Sequence, residues 1–314
     1  MNVALTAKPH SLLSWLKLFL ALSRTPHGLL DMATPAVAAL IWYGSFPPLR
    51  ITFLGLLTAF AGYTAVYALN DLVDYHVDKR RFEEELFPDI KNDLDSIFVR
   101  HPLAYGLLSF RKAVLWTVAW AALALVGAYL LNPFCVVIFL AACLLETIYC
   151  LMWKSGYLKV LISGAVKTSG AVAAVFAVDP DPSGPFLVLL FLWLFFWELG
   201  GQNIPNDWAD IEEDIELQAT TIPVRFGPAR ANAIILFCLL MTVALNAILV
   251  SFSRLDGHSF VCAVVSFCAG AYLLLIPAYR LHKTRERDHA LALFNKASYY
   301  PVALLAITAL SIAI

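Results

Sequence analysis

Long apolar runs alternate with short polar segments along the whole chain. Nine runs are long enough to cross the ~30 Å hydrocarbon core of a bilayer, which takes about 20 helical residues. They lie at about 27–45, 51–70, 113–131, 134–152, 158–178, 185–204, 231–252, 259–279 and 297–314. A spanning segment has to satisfy its own backbone hydrogen bonds, so each run predicts a helix. The pattern predicts an all-α, polytopic membrane protein with nine transmembrane helices in a bundle.

Composition supports this fold class and excludes one class of partner. Hydrophobic residues make up 61% of the chain and the mean hydropathy is +0.75, against roughly 45–50% apolar residues in soluble domains. The formal net charge of −1 provides no basic surface of the kind that binds nucleic acid. We therefore expect the lipid bilayer, and no nucleic acid, as a partner.

The positive charges predict the orientation of the chain. Lys and Arg cluster before the first span and after spans 2, 4, 6 and 8, whereas the opposite loops contain only Arg50 and Arg254. Such residues are retained on the cytoplasmic side of a membrane. We expect the N-terminus and the ends of spans 2 and 6 in the cytoplasm and the C-terminus outside, in an integral protein of a bacterial inner membrane.

The N-terminal segment 1–26 contains an apolar stretch from Ser11 to Ser23 that resembles the core of a signal peptide. No small-residue cleavage site follows it, and Arg24 interrupts it. The segment therefore predicts an interfacial helix that leads into the first span.

Two copies of the pattern Asn-Asp-x-x-Asp-x-x-x-Asp follow spans 2 and 6. The first consists of Asn70, Asp71, Asp74 and Asp78, and the second of Asn206, Asp207, Asp210 and Asp214. If the helices continue, the first, third and last members share one helix face. Carboxylates are unfavourable at a helix C-terminus, so we expect a cation there. Mg²⁺ prefers carboxylate oxygens and bridges to phosphate oxygens, and the motifs predict a divalent-metal site for a diphosphate. The alternative is a pair of solvated acidic loop ends.

The surroundings of the motifs carry a family resemblance. The first motif, the stretch Arg100-His-Pro-Leu-Ala-Tyr-Gly106, and the second motif running into Thr221-Ile-Pro-Val-Arg-Phe-Gly227 resemble the UbiA superfamily of intramembrane prenyltransferases. That family shows the same first motif, an Arg-Pro-Leu-x-x-Gly stretch, a second Asp cluster and then Thr-Leu-Pro-Val-x-x-Gly. The resemblance implies one integral-membrane domain over 1–314, with a central cavity open to the cytoplasm and, sideways, to lipid.

The resemblance also implies the roles of individual residues. Mg²⁺ would be held by Asp71, Asp74, Asp78, Asp207, Asp210 and Asp214, with Asp71, Asp74, Asp207 and Asp210 catalytic. Substrate contacts would come from Asn70, Asn206, Arg24, Lys79, Arg100, Tyr149 and Lys154. Three roles are open for Arg24: a contact to the diphosphate, a contact to an acceptor carboxylate, or only an anchor for the chain at the membrane surface.

Cytoplasmic cap loops are predicted at 79–112, after the first motif, and at 205–230, around the second. The first is longer than the family pattern needs, and its segment 82–99 alternates apolar and acidic residues. This alternation predicts one or two short interfacial helices, broken at Pro88. They would form either a lid that shields the site from water or an ordinary amphipathic loop.

Ionisable residues inside a span are unfavourable unless they are paired or functional. Asp31 in span 1 and Glu198 in span 6 are two such residues. Asp31 is a candidate for orienting an acceptor hydroxyl and Glu198 for lining the cavity. The alternative is that either residue pairs with Lys167 as a structural tie between helices.

The leading hypothesis is Mg²⁺-dependent transfer of a prenyl or polyprenyl group from an isoprenoid diphosphate to a small aromatic acceptor. The acceptor would resemble 4-hydroxybenzoate or a naphthoate, in quinone biosynthesis, with prenylation of a non-aromatic acceptor and terpene cyclisation as alternatives. A cation-coupled secondary transporter is the alternative of another class, although transporters usually hold their ions near the bilayer midplane. A CDP-alcohol phosphotransferase is a rival class of enzyme, but its acidic signature requires Gly and Arg within one Asp cluster, and neither residue interrupts these motifs.

Overall fold

The computed structural model describes residues 11–83, 98–152, 156–255 and 259–314, and every regular element in these ranges is a helix. The first helices are α1 (Leu12–Leu22), α2 (Thr25–Asp31), α3 (Ala33–Tyr43), α4 (Leu49–Val73), α5 (Tyr75–Glu83), α6 (Phe110–Leu131), α7 (Pro133–Leu151) and α8 (Gly156–Val178). They are followed by α9 (Gly184–Trp197), α10 (Ile204–Ala209), α11 (Ile211–Glu216), α12 (Ile222–Ser251), α13 (Ser259–Gly270), α14 (Ile276–Thr284), α15 (Arg287–Ser298) and α16 (Tyr300–Ala313).

Eight helical segments in the described part of the chain have the length and apolar composition needed to cross a membrane. They are Leu49–Val73, Phe110–Leu131, Pro133–Leu151, Gly156–Val178, Gly184–Ala209, Ile222–Ser251, Ser259–Thr284 and Arg287–Ala313. These segments correspond to predicted spans 2 to 9. The predicted all-α membrane fold is therefore confirmed.

The first predicted span is a broken helix rather than a continuous one. It consists of α2, with 7 residues, and α3, with 11 residues, joined at Met32. Pro35 has no N–H to donate to the carbonyl oxygen of Asp31, four positions earlier. The hydroxyl of Thr34 donates to that oxygen instead, at 2.9 Å. The break therefore leaves no unpaired carbonyl at this point.

A π-helical turn precedes the second Asp motif and joins α9 to α10. The turn covers Glu198–Asn203, and it lies just before Pro205. A wider turn relieves the clash between a proline ring and the carbonyl four positions earlier. The helix therefore continues through Pro205 to Ala209. A second π-helical turn, Ala271–Leu275, precedes Pro277 in the same way.

The bundle is tightly packed on one side and open on the other. Around α9 and α12 the core contains the fully buried side chains of Trp193, Trp197 and Tyr300. On the other side, α3 packs on α8 and α16, while α4 packs on α6 and α7. A cavity of about 630 Å³ lies between these groups of helices, with walls from α2, α3, α4, α6, α7, α8 and α16. It corresponds to the central cavity that the family resemblance implies.

The predicted peripheral segments are described in part. Helix α1 packs on the start of α6, where Phe19 stacks on Trp116 with ring centroids 4.7 Å apart. Of the cap loop 79–112, residues 84–97 lie outside the described ranges, and with them Pro88 and most of the predicted interfacial helices. The segment 205–230 contains α11 and the first turns of α12, which bends at Gly227, where φ is +78°.

Candidate active site

The first motif lies where α4 ends and α5 begins. Asp74 caps α4, and the backbone N–H of Asp74 still donates to the carbonyl of Asn70 at 2.9 Å. The N–H of Asp78 donates to the carbonyl of Asp74, also at 2.9 Å. Because these i to i+4 bonds persist, the predicted sharing of one helix face by Asn70, Asp74 and Asp78 is retained.

Asn70 is held between a cation and a carboxylate. Its Oδ1 accepts from Nη2 of Arg24 at 3.3 Å, and the same Nη2 lies 3.6 Å from Oδ1 of Asp71. Its Nδ2 donates to Oε1 of Glu146 at 2.7 Å and to Sγ of Cys150 at 3.3 Å. Arg24 thus contacts the first motif directly, and its contact with a diphosphate stays a prediction.

His101 lies between two carboxylates of the first motif. Its Nδ1 is 2.8 Å from Oδ2 of Asp78 and 3.3 Å from Oδ1 of Asp71. Burial acts to lower the pKa of His101, but the two carboxylates outweigh it and raise that pKa to about 9. Burial likewise acts to raise the pKa of Asp78, and His101 outweighs it, so this pKa lies below its usual range. The imidazolium therefore neutralises part of the motif.

The carboxylates of both motifs are crowded in a poorly hydrated site. Burial, together with the Asp78 carboxylate, raises the pKa of Asp74 to about 6. Burial also raises the pKa of Asp210 despite the nearby Arg100. Ligand atoms of Asp71, Asp78 and His101 lie within 4.8 Å of one another. Because His101 is protonated between Asp71 and Asp78, the donors that the cluster offers to a divalent cation are its carboxylate oxygens, and the imidazolium neutralises their charge only in part.

The second motif is neutralised by a lysine from α8. Nζ of Lys159 lies 3.0 Å from Oδ1 of the buried Asp207. The same ammonium lies 5.6 Å from the ring centroid of Tyr149, whose hydroxyl accepts from Nδ2 of Asn203 at 3.4 Å. Tyr149 therefore stands beside the second motif, as its predicted role in substrate binding requires.

Asp214 ties the second motif to the segment that follows it. Its Oδ2 accepts from the hydroxyl of Thr221 at 2.9 Å, and its carbonyl accepts from the N–H of Ala219 at 2.8 Å. Thr221 is fully buried and precedes α12. The motif and the Thr-Ile-Pro-Val stretch thus form one folded turn, in which Asp214 has a structural contact besides its predicted role as a metal ligand.

Both motifs face the same space. Asn70 and Asn206 line one cavity, together with Arg24, Arg100 and Tyr149. Burial raises the pKa of both Asp74 and Asp210, which belong to different motifs, and Arg81 offsets part of that rise at each, so one guanidinium acts on the two clusters. Each motif therefore meets the cavity through its asparagine, while its aspartates lie beyond the lining, and this end of the cavity is called its mouth.

Two predicted substrate contacts stand apart from this arrangement. Lys79 does not line the cavity; its Nζ is 3.8 Å from Oε1 of Glu83, and its side chain is 48% exposed. Lys154 lies outside the described residues.

Comparison with protein families decides the affiliation of this chain. The sequence pattern of the UbiA prenyltransferase family matches residues 32–300. The chain belongs to the UbiA prenyltransferase family. It is thus an integral-membrane prenyltransferase, which favours the transferase hypothesis over the transporter. A search of curated protein sequences gives no match.

Solved structures of UbiA-type proteins share the fold. A UbiA homologue from Archaeoglobus fulgidus bound to GPP and Mg²⁺ is 21% identical, with a TM-score of 0.69, over 95% of this chain and 100% of that one. The apo structure of a UbiA homologue from Aeropyrum pernix K1 is 21% identical, with a TM-score of 0.67, over 90% and 96%. A structure concerned with digeranylgeranylglyceryl phosphate synthase is 18% identical, with a TM-score of 0.67, over 95% and 99%.

In this UbiA-family chain the two intramembrane acids pair with Lys167. Nζ of Lys167 lies 2.6 Å from Oδ2 of Asp31 and 3.9 Å from Oε2 of Glu198. The hydroxyl of Tyr67 donates to Asp31, and that of Ser163 donates to Glu198 at 2.6 Å. The pairing that the sequence left as an alternative is therefore present, and all five residues also line the cavity.

Three residues of the UbiA-family site were missed as candidates by the sequence reasoning. Glu146 carried the same signal as Asp31 and Glu198, an acid inside an apolar run. Lys159 was counted only among the positive charges that set the orientation. His101 occupies the arginine position of the family's Arg-Pro-Leu stretch, so this departure from the pattern was visible beside Arg100.

Proposed function

We propose that the protein transfers a prenyl or polyprenyl group from an isoprenoid diphosphate to a small aromatic acceptor, with Mg²⁺ as cofactor, as in quinone biosynthesis. One observation carries the proposal: two acidic motifs with basic neighbours surround the mouth of a single apolar cavity that has a polar cluster at mid-depth.

The donor set of the two motifs fits Mg²⁺. The carboxylates of Asp71, Asp74 and Asp78 on one side and of Asp207, Asp210 and Asp214 on the other would hold it, and the relative from Archaeoglobus fulgidus was determined with Mg²⁺. When bound, the ion supplies positive charge that stabilises a diphosphate as a leaving group.

The donor fits with its diphosphate at the mouth and its chain inside the cavity. Arg24 and Arg100 line the mouth and are suited to phosphate oxygens. The lining continues along α4 from Asn70 to Thr52, about 27 Å at 1.5 Å per residue. A cavity of this depth suits a long isoprenoid chain.

The residues of the cavity suit a carbocation pathway. Cleavage of the allylic C–O bond leaves its electron pair on the diphosphate and a cation on the prenyl group. The rings of Tyr63 and Tyr67 and the apolar wall around them exclude water and favour positive charge at their faces. An electron-rich acceptor then forms the new bond at the cationic carbon.

Support for an aromatic acceptor comes from the middle of the cavity. There, Asp31, Lys167 and Glu198 offer hydrogen-bonding groups next to apolar walls, a combination that fits a flat ring bearing a hydroxyl. The similarity to a structure concerned with digeranylgeranylglyceryl phosphate synthase makes a glycerol phosphate the acceptor to test against it.

We also propose that the mouth of the cavity faces the cytoplasm, as the distribution of Lys and Arg predicts. A thiol reagent that does not cross membranes, applied to right-side-out cells, tests this orientation. Asp181→Cys, at the opposite end of the bundle from the motifs, should be labelled from outside, and Lys283→Cys should be protected. The reverse labelling pattern would refute the orientation.

The function is tested with protein in detergent, radiolabelled geranyl, farnesyl and longer diphosphates, and either Mg²⁺ or EDTA. The acceptors are hydroxybenzoates, naphthoates and glycerol phosphates. A Mg²⁺-dependent adduct with a phenolic acid supports the proposal. An adduct with glycerol phosphate alone would show that the acceptor is a glycerol phosphate and not an aromatic acid. Release of diphosphate with a cyclic hydrocarbon as product would point to a cyclase.

A further inference from the structure

A polar cluster lies inside the cavity, deeper than either motif. It consists of Asp31, Tyr67, Ser163, Lys167 and Glu198, all of which line the cavity. Asp31 follows the mouth residue Arg24 by about 10 Å of helix at 1.5 Å per residue, and Glu198 precedes Asn206 by a similar distance. The cluster is therefore separate from the site that the motifs form.

The hydrogen bonds within this cluster are distributed unequally between the carboxylates of Asp31 and Glu198. Asp31 accepts from Lys167 at 2.6 Å and from the hydroxyl of Tyr67. Glu198 accepts from Ser163 through Oε1, at 2.6 Å, while its Oε2 is 3.9 Å from Nζ of Lys167. Lys167 is thus directed at Asp31, and one oxygen of Glu198 is left over.

Oε2 of Glu198 has no hydrogen-bond partner among the described residues, although the residue is only 6% exposed. An unpaired polar atom in a buried position is unfavourable unless a ligand or water satisfies it. The carboxylates of Asp31 and Glu198 already share the ammonium of Lys167, and Nε2 of the neighbouring His27 lies 3.8 Å from Oδ1 of Asp31. A further anion beside Glu198 is therefore unfavourable. The missing partner is a group that donates a hydrogen bond.

We propose that Glu198 is a catalytic residue that binds the hydroxyl of the aromatic acceptor and takes its proton, an inference that rests on the proposed prenyl transfer. The C1–O bond of the donor breaks first, with its electron pair leaving on the diphosphate. The hydroxyl proton then passes to Oε2 as the neighbouring ring carbon bonds to the cationic C1 of the prenyl group. The ring carbon then releases its proton to the departing diphosphate, and the proton on Glu198 returns to the ring oxygen, which restores the phenol.

The location suits this step. A phenolate oxygen makes the ring carbon beside it more electron-rich, and a positioned base contributes about 10²–10⁴-fold to such steps. The separation of about 10 Å between Glu198 and the mouth leaves room for the diphosphate near the motifs and for one ring between them. Glu198 therefore acts on the acceptor and not on the donor.

The test compares wild type with Glu198→Gln and Glu198→Asp. Labelled geranyl diphosphate, Mg²⁺ and a phenolic acceptor, 4-hydroxybenzoate or 1,4-dihydroxy-2-naphthoate, are supplied, and the adduct and geraniol are quantified separately. The methyl ethers of both acceptors, which have no hydroxyl proton at the blocked position, are assayed in parallel. Asp179→Asn is the matched control, because this acid lies at the far end of the bundle and bonds to Trp42 at 3.0 Å.

We expect Glu198→Gln to lose adduct formation at least about 100-fold, to retain geraniol formation, and to keep its melting temperature. Glu198→Asp should recover part of the rate, and the methyl ethers should be poor acceptors for wild type and variant alike. An undiminished adduct rate in Glu198→Gln overturns the inference, as does equal loss of adduct and geraniol in a folded variant. If wild type forms no adduct with any phenol, the proposed function is refuted together with the inference. If wild type forms an adduct, the result for Glu198→Gln tests the inference alone.

Discussion

The ammonium of Lys159 lies 3.0 Å from Oδ1 of Asp207, so a lysine of α8 neutralises the second acidic motif across a helix interface. Both side chains are largely removed from solvent, at 17% and 6% exposed. Removing one partner of a buried ion pair leaves the other charge uncompensated, which costs about 3–5 kcal/mol.

We therefore expect Lys159→Met to lower the melting temperature of the protein in EDTA. Magnesium should restore much of this loss, since a divalent cation replaces the missing positive charge beside Asp207. The measurement is thermal unfolding in detergent with EDTA or with Mg²⁺, and the exposed Lys283→Met is the control. An unchanged melting temperature in EDTA would show that the pair does not contribute to stability.

Asp74→Ala and Asp210→Ala should each reduce prenyl transfer by at least about 100-fold while the protein remains folded. Each substitution removes a ligand of the proposed metal and a large part of the leaving-group stabilisation, without opening a packed core. Turnover and melting temperature are measured on the same samples. Asp181→Ala, an exposed acid at the far end of the bundle, should behave as wild type. Near-normal turnover in both motif variants would exclude the metal site.

The pH dependence of stability without magnesium should depend on His101. Its pKa is about 9 in the folded protein against an ordinary 6.5, so protonation favours the folded state. This contribution is complete below pH 6.5 and is lost as the pH rises through 9. The melting temperature in EDTA should therefore fall between pH 7 and 9.5.

His101→Gln should flatten that fall, because glutamine carries no proton that is lost in this range. Melting curves at intervals of half a pH unit give the comparison. An equally steep decline in the variant would assign it to other groups.

Gly55→Phe should shorten the range of donors that the cavity accepts. A Cβ at Gly55 meets nothing within 4 Å, and the residue lines the cavity about 22 Å of helix from Asn70. A side chain can therefore start at this position without a clash at Cβ, and its ring should occupy the deep part of the cavity. Long-chain diphosphates should show a KM raised at least about tenfold, equivalent to about 1.4 kcal/mol of binding, while geranyl diphosphate is used normally.

The control for this prediction is Gly184→Phe. Gly184 also has open space around its Cβ but does not line the cavity. It should leave the preference for chain length unchanged. Equal effects on short and long donors in Gly55→Phe would show that the chain does not extend along α4.

Sequence alone determined the features that depend on local chemistry. Apolar length located spans 2 to 9, because a bilayer sets the number of residues that a helix needs. The periodicity of the motifs placed Asn70, Asp74 and Asp78 on one face, which the persistent backbone bonds retain. The family pattern, which is a local string of residues, led to the correct family.

Only the tertiary structure decided which distant charges meet. Lys167 and Asp31 are 136 positions apart and lie 2.6 Å from each other, while His101 and Lys159 neutralise the two motifs from other parts of the chain. Such pairings depend on how helices pack, and the pattern within a single helix does not contain that information. For the same reason the sequence recognised Glu198 as unusual, but only the packing of α8 against the π-helical turn left one of its oxygens without a partner.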